Sequence, residues 1–590
     1  MKLTEEQRKA VVSNESAAVF SCPGSGKTRT IIAKILSCLE IVRGTTRRVT
    51  AITYTNAAVD EIESRLREIC SHDERMYFDV STIHSFCLNR IFRPFHSLLP
   101  EFTNGFTLLP SEHSAWQEKV HELSIEYDVA GWAREGFERV QRNAAGFVSP
   151  PDGVPVDACI EFCKWCDSNN FVTLPEIIYH SFRLEVQHRF IASGLASRFA
   201  WILVDEFQDS SAMQMELLRL VHSYQRTQFF LVGDPHQSLY RFAGADVALM
   251  RRFAEEIGAR TDFVLSGNFR SSATIVSLAE QLCPNSPAME AVGDHRNHPS
   301  APVHLIASRT ADAIINYFLP KVRKLGVPLG EAAVLAAWWI PLWQLARELR
   351  ERGVPVIGPG ARPYKRSHIF SMLAEPVCAY LESREPEIVL AVQRALFVML
   401  REITGHHESK VFSYYGKCAV SELLKDAEEA QRSSREARRW LTDAADRFQR
   451  ILVKHEFLPQ SRSTALSESA SLMCDEIDTH RRNQSVSIDE LGLFARPKNC
   501  LYLTTIHKSK GREFDAVAVV DLHDGRIPHF NWNRDCTSEE SDARWEDARR
   551  MLYVGVTRAK RELVLITEED NQYGPSPFLS ELDIRAARLK

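Results

Sequence analysis

The 590-residue sequence lacks any apolar run of the roughly 18 residues that a membrane-spanning helix needs. Its first eight residues are mainly polar or charged, which argues against a secretory signal peptide. The 13 cysteines are odd in number and lack the regular spacing of a disulfide framework. These absences predict a cytoplasmic protein with reduced cysteines and no membrane association.

An excess of positive charge is also missing, since 72 Lys and Arg against 77 Asp and Glu give a net charge of −5. This balance argues against an overall basic coat, so any binding of nucleic acid would need a local groove. Hydrophobic residues make up 44% and charged residues 25%, as in ordinary globular proteins. At roughly 100–200 residues per domain, the length predicts about three to five domains.

A glycine-rich segment near the amino terminus carries the first chemical signal, Ser21-Cys22-Pro23-Gly24-Ser25-Gly26-Lys27-Thr28. It follows an apolar run that predicts a strand, and a helical pattern follows it. This is the context of a phosphate loop, in which backbone N–H groups and a helix amino terminus bind phosphate. Lys27 would then reach the β- and γ-phosphates of ATP, and the Thr28 hydroxyl would bind Mg²⁺. A plain glycine-rich turn before a helix is the alternative interpretation.

Two carboxylates follow a second apolar run, in the segment Trp201-Ile202-Leu203-Val204-Asp205-Glu206-Phe207-Gln208-Asp209. Four consecutive apolar residues predict a strand of a parallel sheet that is buried on both faces. Ligands of open α/β sheets bind at the carboxyl ends of such strands. Asp205 would therefore bind Mg²⁺, and Glu206 would orient and deprotonate the attacking water.

With these two segments, the sequence resembles superfamily 1 helicases of the UvrD/Rep/PcrA type. Further motifs of the family follow in its order, at residues 3–11, 51–58, 81–86, 232–240, 265–272, 505–514 and 553–559. The resemblance implies an ATP-dependent 3′→5′ translocase or helicase that acts on single-stranded DNA, with 3′-tailed duplex as its substrate.

The resemblance also implies roles for individual residues. The implied catalytic residues are Lys27, Asp205, Glu206, Gln237, Arg270 and Arg558. Of these, Gln237 and Arg270 would contact the γ-phosphate, and Arg558 would be the arginine finger. The implied ATP contacts are Gln7, Gly24, Ser25, Gly26, Lys27, Thr28, Arg29, Phe269 and Glu513. Gln7 and Phe269 would contact adenine, and Thr28 and Asp205 would hold Mg²⁺. The implied DNA contacts are Tyr54, Thr55, Asn56, His84, Tyr240, Phe242 and His507.

The fold that the resemblance implies is α/β, with two RecA-like motor domains built on parallel sheets, each with a mainly helical insertion. The first motor domain would comprise residues 1–90 and 198–268, with its insertion at 91–197. The second would comprise residues 269–363 and 497–590, with a reduced insertion at 364–496.

Three cysteines and one aromatic residue leave alternatives open. Cys159, Cys163 and Cys166 fall on one face of a predicted helix, and His180 would be the nearest fourth ligand of a metal site. Packing of the three thiols as small apolar groups is favoured, because strong zinc signals pair two CxxC units. Phe86 is predicted equally well as a core residue or as a DNA contact.

A second functional interpretation also stays open, namely a DNA-sensing ATPase subunit that regulates a partner effector nuclease. The compact GajB-like subunit of the Gabija antiviral defence systems is a comparable case, and the short second insertion favours this interpretation. A plain phosphate-loop kinase does not account for the motifs that follow Asn268.

Overall fold

A computed structural model describes residues 2–111, 113–239, 247–365, 368–404, 409–480, 486–529, 538–569 and 573–589. Within it the chain forms two compact units, residues 1–297 and 298–590. The sequence predicted that the second motor domain begins at residue 269, whereas residues 269–297 pack with the first unit. One reason is that the Phe269 N–H donates to the Gly24 carbonyl at 2.9 Å. The four-part division into motor domains and insertions stays a prediction.

The first unit is built on a six-stranded parallel sheet of order β10-β1-β9-β8-β2-β3. Its strands are β1 Ala17–Ser21, β2 Arg48–Thr53, β3 Phe78–Thr82, β8 Phe199–Val204, β9 Gln228–Gly233 and β10 Arg260–Leu265. Short strands form two-stranded pairs beside it: β4 Thr107–Leu108, β5 Gln141–Arg142, β6 Val148–Ser149, β7 Phe171–Val172, β11 Gly267–Asn268 and β12 Glu290–Ala291.

The two faces of this sheet are both covered by apolar side chains, which explains why its strands read as continuous apolar runs. In β8, Trp201 and Leu203 pack into one core cluster, whereas Ile202 and Val204 pack into another. The helices of the unit are α1 Glu5–Val12, α2 Lys27–Val42, α3 Asn56–Ile69, α4 Ile83–Cys87, α5 Arg93–Phe95, α6 Ser114–Glu126, α7 Val156–Ser168, α8 Leu174–Gln187, α9 Phe190–Arg198, α10 Ala212–His222, α11 Val247–Glu256 and α12 Ala273–Leu282.

The second unit is built on a seven-stranded parallel sheet of order β15-β16-β14-β17-β18-β13-β19. Its strands are β13 Val303–Ala307, β14 Ala332–Ala336, β15 Val356–Ile357, β16 Leu501–Thr505, β17 Phe514–Val519, β18 Ala559–Glu568 and β19 Arg585–Leu589. All five residues of β14 are buried, as its apolar sequence predicts. The chain is therefore an α/β protein with two parallel sheets.

Helices make up the long segment between β15 and β16, and they have an apolar core of their own that includes Leu373, Val392, Leu423, Trp440 and Phe448. The helices of the second unit are α13 Thr310–Ala313, α14 Leu319–Lys324, α15 Trp339–Glu351, α16 Ile369–Ser383, α17 Pro386–Thr404, α18 Tyr414–Ser433, α19 Ala437–Lys454, α20 Ala465–His480, α21 Ile488–Leu493 and α22 Ser538–Val556. In the described parts of the chain, every helix is too short or too polar to cross a membrane.

Candidate nucleotide site and nucleic-acid contacts

The phosphate loop lies between β1 and α2, as the sequence predicts. Gly24 and Gly26 have φ angles of +68° and +82°, a left-handed conformation that favours glycine. A Cβ at Gly24 would lie 2.7 Å from the Cβ of Arg270, so the close approach of the two segments also requires glycine there. The loop is thus shaped by its glycines.

The amino terminus of α2 has the features of an anion site. Gly26 is its N-cap and supplies no side-chain hydrogen bond to the first N–H groups. The buried Ser25 Oγ has no hydrogen-bond partner among the described residues. Donor groups at a helix amino terminus favour phosphate, and the two residues that begin the helix are Lys27 and Thr28. The loop, the helix end and Lys27 together fit the triphosphate of ATP.

A carboxylate that follows β8 pairs with the lysine of this loop. Lys27 Nζ lies 3.0 Å from Glu206 Oε2, and only 12% and 19% of the two side chains are exposed. Burial alone would lower the pKa of Lys27, but Glu206, Asp234 and Asp205 together raise it above its ordinary value. Lys27 is therefore a cation, held by the carboxylates that surround it.

Asp205 directly follows the last residue of β8, and backbone hydrogen bonds hold it there. Its N–H donates to the Ile52 carbonyl at 2.8 Å, and its Oδ1 accepts from the Glu206 N–H at 3.0 Å. Burial and the charge of Glu206 raise the pKa of Asp205. A divalent cation offsets such a concentration of carboxylate charge, and oxygen ligands are those that Mg²⁺ prefers. Asp205 and the Thr28 hydroxyl thus have the chemistry to hold Mg²⁺.

Gln208 connects Glu206 to the carboxyl end of β9, a role that the sequence motifs did not indicate. Its Nε2 donates to Glu206 Oε2 at 2.6 Å, and its Oε1 accepts from the Asp234 N–H at 2.9 Å. The carbonyl of Asp234 accepts from the N–H of the buried Gln237 at 3.0 Å. Gln237, the predicted γ-phosphate contact, thereby belongs to the same strand-end network.

The residues predicted to contact adenine and the γ-phosphate also lie against the phosphate loop. Gln7 is buried and donates from Nε2 to the Ser25 carbonyl at 2.9 Å. The Phe269 ring lies 5.8 Å from the guanidinium of Arg29. Asn268, which sequence reasoning did not assign, accepts from the Arg270 N–H at 2.9 Å and so shapes the turn. The structure therefore brings these predicted nucleotide contacts together within the first unit.

The two nucleotide contacts predicted in the second unit lie at the amino ends of adjacent parallel strands. Glu513 precedes β17 and Arg558 precedes β18, and the Arg558 carbonyl accepts from the Phe514 N–H at 2.9 Å. The Arg558 side chain is buried and donates to the Val554 carbonyl at 3.1 Å. Its function as an arginine finger stays a prediction.

The predicted DNA contacts that the structure describes lie at the carboxyl ends of strands. Tyr54, Thr55 and Asn56 follow β2, and the Thr55 hydroxyl caps α3 by accepting from the Ala58 N–H at 3.2 Å. His84 follows β3 and His507 follows β16, and burial lowers the pKa of both imidazoles. Burial therefore favours the neutral form of both imidazoles in the DNA-free chain, and their contact with DNA stays a prediction.

Two further predicted DNA contacts, Tyr240 and Phe242, lie outside the described residues. Phe86, for which core packing and DNA contact were both open, is only 4% exposed and packs on Phe199 at a centroid distance of 5.8 Å. Phe86 is therefore a core residue.

The cysteine trio packs into an apolar cluster with Trp116, Phe137 and Phe162, which confirms the packing interpretation. His180 lies instead beside Arg142 and Arg183, and burial and these cations lower its pKa well below the ordinary value. Across the described ranges, no group of three His, Cys, Asp or Glu side chains is arranged to hold a metal ion.

Comparison with known proteins identifies related sequences over almost the whole chain. The UvrD/REP helicase N-terminal domain matches residues 3–258, and the UvrD-like helicase C-terminal domain matches residues 379–570. "ATP-dependent DNA helicase Rep" of Escherichia coli is 24% identical, with 99% of this chain and 94% of the relative covered. "DNA helicase II" of the same organism is 24% identical, with 98% and 87% covered. A "Probable DNA helicase II homolog" of Mycoplasma pneumoniae is 23% identical, with 96% and 84% covered.

Proposed function

Because this chain belongs to the UvrD/Rep family of helicases, we propose that it is an ATP-hydrolysing motor that moves 3′→5′ along single-stranded DNA. The observation that carries the proposal is the convergence of Lys27, Asp205 and Glu206 at the uncapped amino terminus of α2. Strands β1, β9 and β8 are neighbours in the parallel sheet, so the loops at their carboxyl ends meet at one edge.

Each group at this edge has a part in hydrolysis. Lys27 binds the β- and γ-phosphate oxygens, and the backbone N–H groups of the glycine loop orient them. Mg²⁺, when held by Thr28 and Asp205, neutralises charge on the phosphate oxygens. Glu206 orients the attacking water and accepts its proton. Gln208 holds its Oε2 by a hydrogen bond that does not depend on Lys27. Gln237 and Arg270 are the proposed γ-phosphate contacts on this side.

Contacts with DNA come in this proposal from aromatic and polar residues at strand ends. The structure describes five of them, namely Tyr54, Thr55, Asn56, His84 and His507. Stacking of aromatic side chains on unpaired bases tolerates any sequence, which suits a motor that must step along DNA. The relatives reported above are named as helicases, so the alternative of a subunit that regulates an effector nuclease gains no support from them.

Two variants of the ATP site test the proposal. Lys27→Ala should abolish ATP hydrolysis, because the phosphates lose their main side-chain counterion. Glu206→Gln should bind Mg²⁺–ATP but hydrolyse it slowly, since Asp205 and Thr28 remain. Lys9→Ala is the matched control, because Lys9 is a 68% exposed lysine whose ammonium pairs with Glu5 at 2.9 Å. Turnover close to that of the native protein in either site variant would contradict the assignment.

The DNA substrate and the direction are tested separately. ATP turnover should rise strongly with single-stranded DNA and much less with blunt duplex. Unwinding should require a 3′ tail, and equal unwinding of 5′-tailed duplex would refute the proposed direction. Stimulation by single-stranded RNA equal to that by DNA would refute the proposed preference for DNA.

A further inference from the structure

Lys34 is buried in the interior of the first unit, although lysine is almost never fully buried unless it is paired. It lies on α2 two turns after Lys27, and only 1% of it is exposed. Its ammonium lies 3.9 Å from the centre of the Trp201 ring and 5.4 Å from that of the Phe230 ring. Burial lowers the pKa of Lys34 below its ordinary value. The cost of burying an amine must be offset by specific contacts.

These contacts are made with the carboxyl end of α1. Lys34 Nζ donates to the Val11 carbonyl at 3.1 Å and also to the Ser13 carbonyl. Ser13 is the C-cap of α1, and the Val11 carbonyl is one of the last four of the helix, which have no partner within it. A cation is also favoured at this negative end of the helix dipole. Lys34 therefore fastens the end of α1 to α2.

The first turn of α1 contacts two parts of the candidate nucleotide site. Gln7 donates from Nε2 to the Ser25 carbonyl at 2.9 Å, and a Cβ at Gly26 would lie 2.8 Å from the same nitrogen. Glu6 accepts from the N–H and the hydroxyl of Ser266, which follows β10, at 3.1 and 2.8 Å. The helix thus lies against the phosphate loop at one end and is held by Lys34 at the other.

The Gln7 amide keeps hydrogen-bonding capacity for a base. Its Nε2 carries two hydrogens and its Oε1 two lone pairs. Within the described chain the Ser25 carbonyl takes one hydrogen, and the Thr4 N–H donates to Oε1 at 3.1 Å. The remaining donor and acceptor match adenine, which presents an amine beside a ring nitrogen, whereas guanine presents a carbonyl in place of the amine. The match depends on where α1 holds Gln7.

We propose that Lys34 is a positioning residue that holds α1, and through it Gln7, against the phosphate loop and so sets the selectivity of the motor for adenine nucleotides. The inference rests on the proposed function, in which Gln7 contacts adenine. Val11 lies one helical turn after Gln7, so a contact at the end of this eight-residue helix fixes the place of the Gln7 amide. Lys34 acts only through α1.

The test measures steady-state hydrolysis of ATP and of GTP by the full chain with saturating single-stranded DNA. Lys34→Met keeps a long unbranched side chain but removes the ammonium, so the KM for ATP should rise about tenfold, the effect of roughly one misplaced hydrogen bond. The kcat for ATP should stay within about threefold and the KM for GTP within about twofold, because the phosphate contacts remain.

Lys321→Met is the matched control in the second unit. Lys321 also lies over an aromatic ring, 5.0 Å from the centre of Tyr317, and its ammonium pairs with Glu562 at 2.5 Å. This variant loses a partly buried lysine that has no contact with α1, so both KM values should stay within about twofold of the native ones.

A double-mutant cycle separates positioning from general destabilisation. Gln7→Ala should also raise the KM for ATP, and Lys34→Met should add little to it, because Lys34 acts through Gln7. If Lys34→Met does not fold, the shorter and uncharged Lys34→Gln takes its place with the same expectations.

Three results would overturn the positioning role of Lys34: an unchanged KM for ATP in the Lys34 variant, an equal rise in the KM for ATP and for GTP, or an undiminished effect in the Gln7→Ala background. An unchanged KM for ATP in Gln7→Ala alone would refute the adenine contact on which the inference rests. Absence of DNA-stimulated ATP turnover in the native chain would instead refute the proposed function.

Discussion

Gln208→Ala should slow ATP hydrolysis although Gln208 contacts no substrate in the proposed mechanism. The side chain is fully buried and makes two hydrogen bonds, from Nε2 to Glu206 Oε2 at 2.6 Å and from the Asp234 N–H to Oε1 at 2.9 Å. The fit is close, since a Cβ at Gly233 would lie 2.6 Å from the same Oε1. Truncation therefore removes the link between Glu206 and the end of β9.

The size of the effect follows from these two bonds. The bond to the charged Glu206 contributes about 1.5–3 kcal/mol, and the loss of the acceptor for the Asp234 N–H costs about 1–3 kcal/mol. The free energy of unfolding should therefore fall by about 2.5–6 kcal/mol. Turnover should fall about 10- to 100-fold, because a catalytic group displaced by about 1 Å loses its alignment with the reacting atoms.

The assay compares DNA-stimulated ATP turnover with urea unfolding for Gln208→Ala and for Gln228→Ala. Gln228 lies at the opposite end of β9, and its Oε1 accepts from the N–H and the hydroxyl of Ser16 at 2.9 and 2.8 Å. The control thus also loses two hydrogen bonds in the same sheet, but far from Glu206, and its turnover should stay within twofold of the native value. If Gln208→Ala lost stability but kept its turnover, Gln208 would not position Glu206.

Three further predictions follow from the same structure. Arg558→Ala should keep much of its ATP affinity while hydrolysis falls about 10³-fold, as losses of an arginine finger do, and intact turnover would refute that role. Tyr54→Ala should reduce DNA stimulation more than basal turnover, and an equal loss of both would contradict a DNA contact. Burial raises the pKa of Glu185 well above its ordinary value of 4.5, and neither carboxyl oxygen has a hydrogen-bond partner in the described chain. The folded state therefore binds the extra proton, and unfolding free energies should fall by up to about 1.4 kcal/mol per pH unit above pH 4.5. Glu185→Gln should remove that slope, whereas Glu118→Gln at an exposed site should leave it unchanged.

The sequence alone determined the local structure and chemistry of the nucleotide site. The glycine loop after β1 and the carboxylates after β8 could be predicted from the sequence. Both depend on residues close together in the chain, through the steric limits of the backbone and the burial of a parallel strand.

Only the tertiary structure decided which of these local features meet. Strand order placed the loops after β1, β8 and β9 at one edge, although about 180–210 residues separate the first loop from the others. It also joined residues 269–297 to the first unit and gave Gln208 its two partners, because both outcomes rest on contacts between distant segments. Trp338 and Trp339, shortly after the buried strand β14, are 42% and 36% exposed. Burial at a strand end depends on which distant segments cover it, and a local sequence pattern does not specify them.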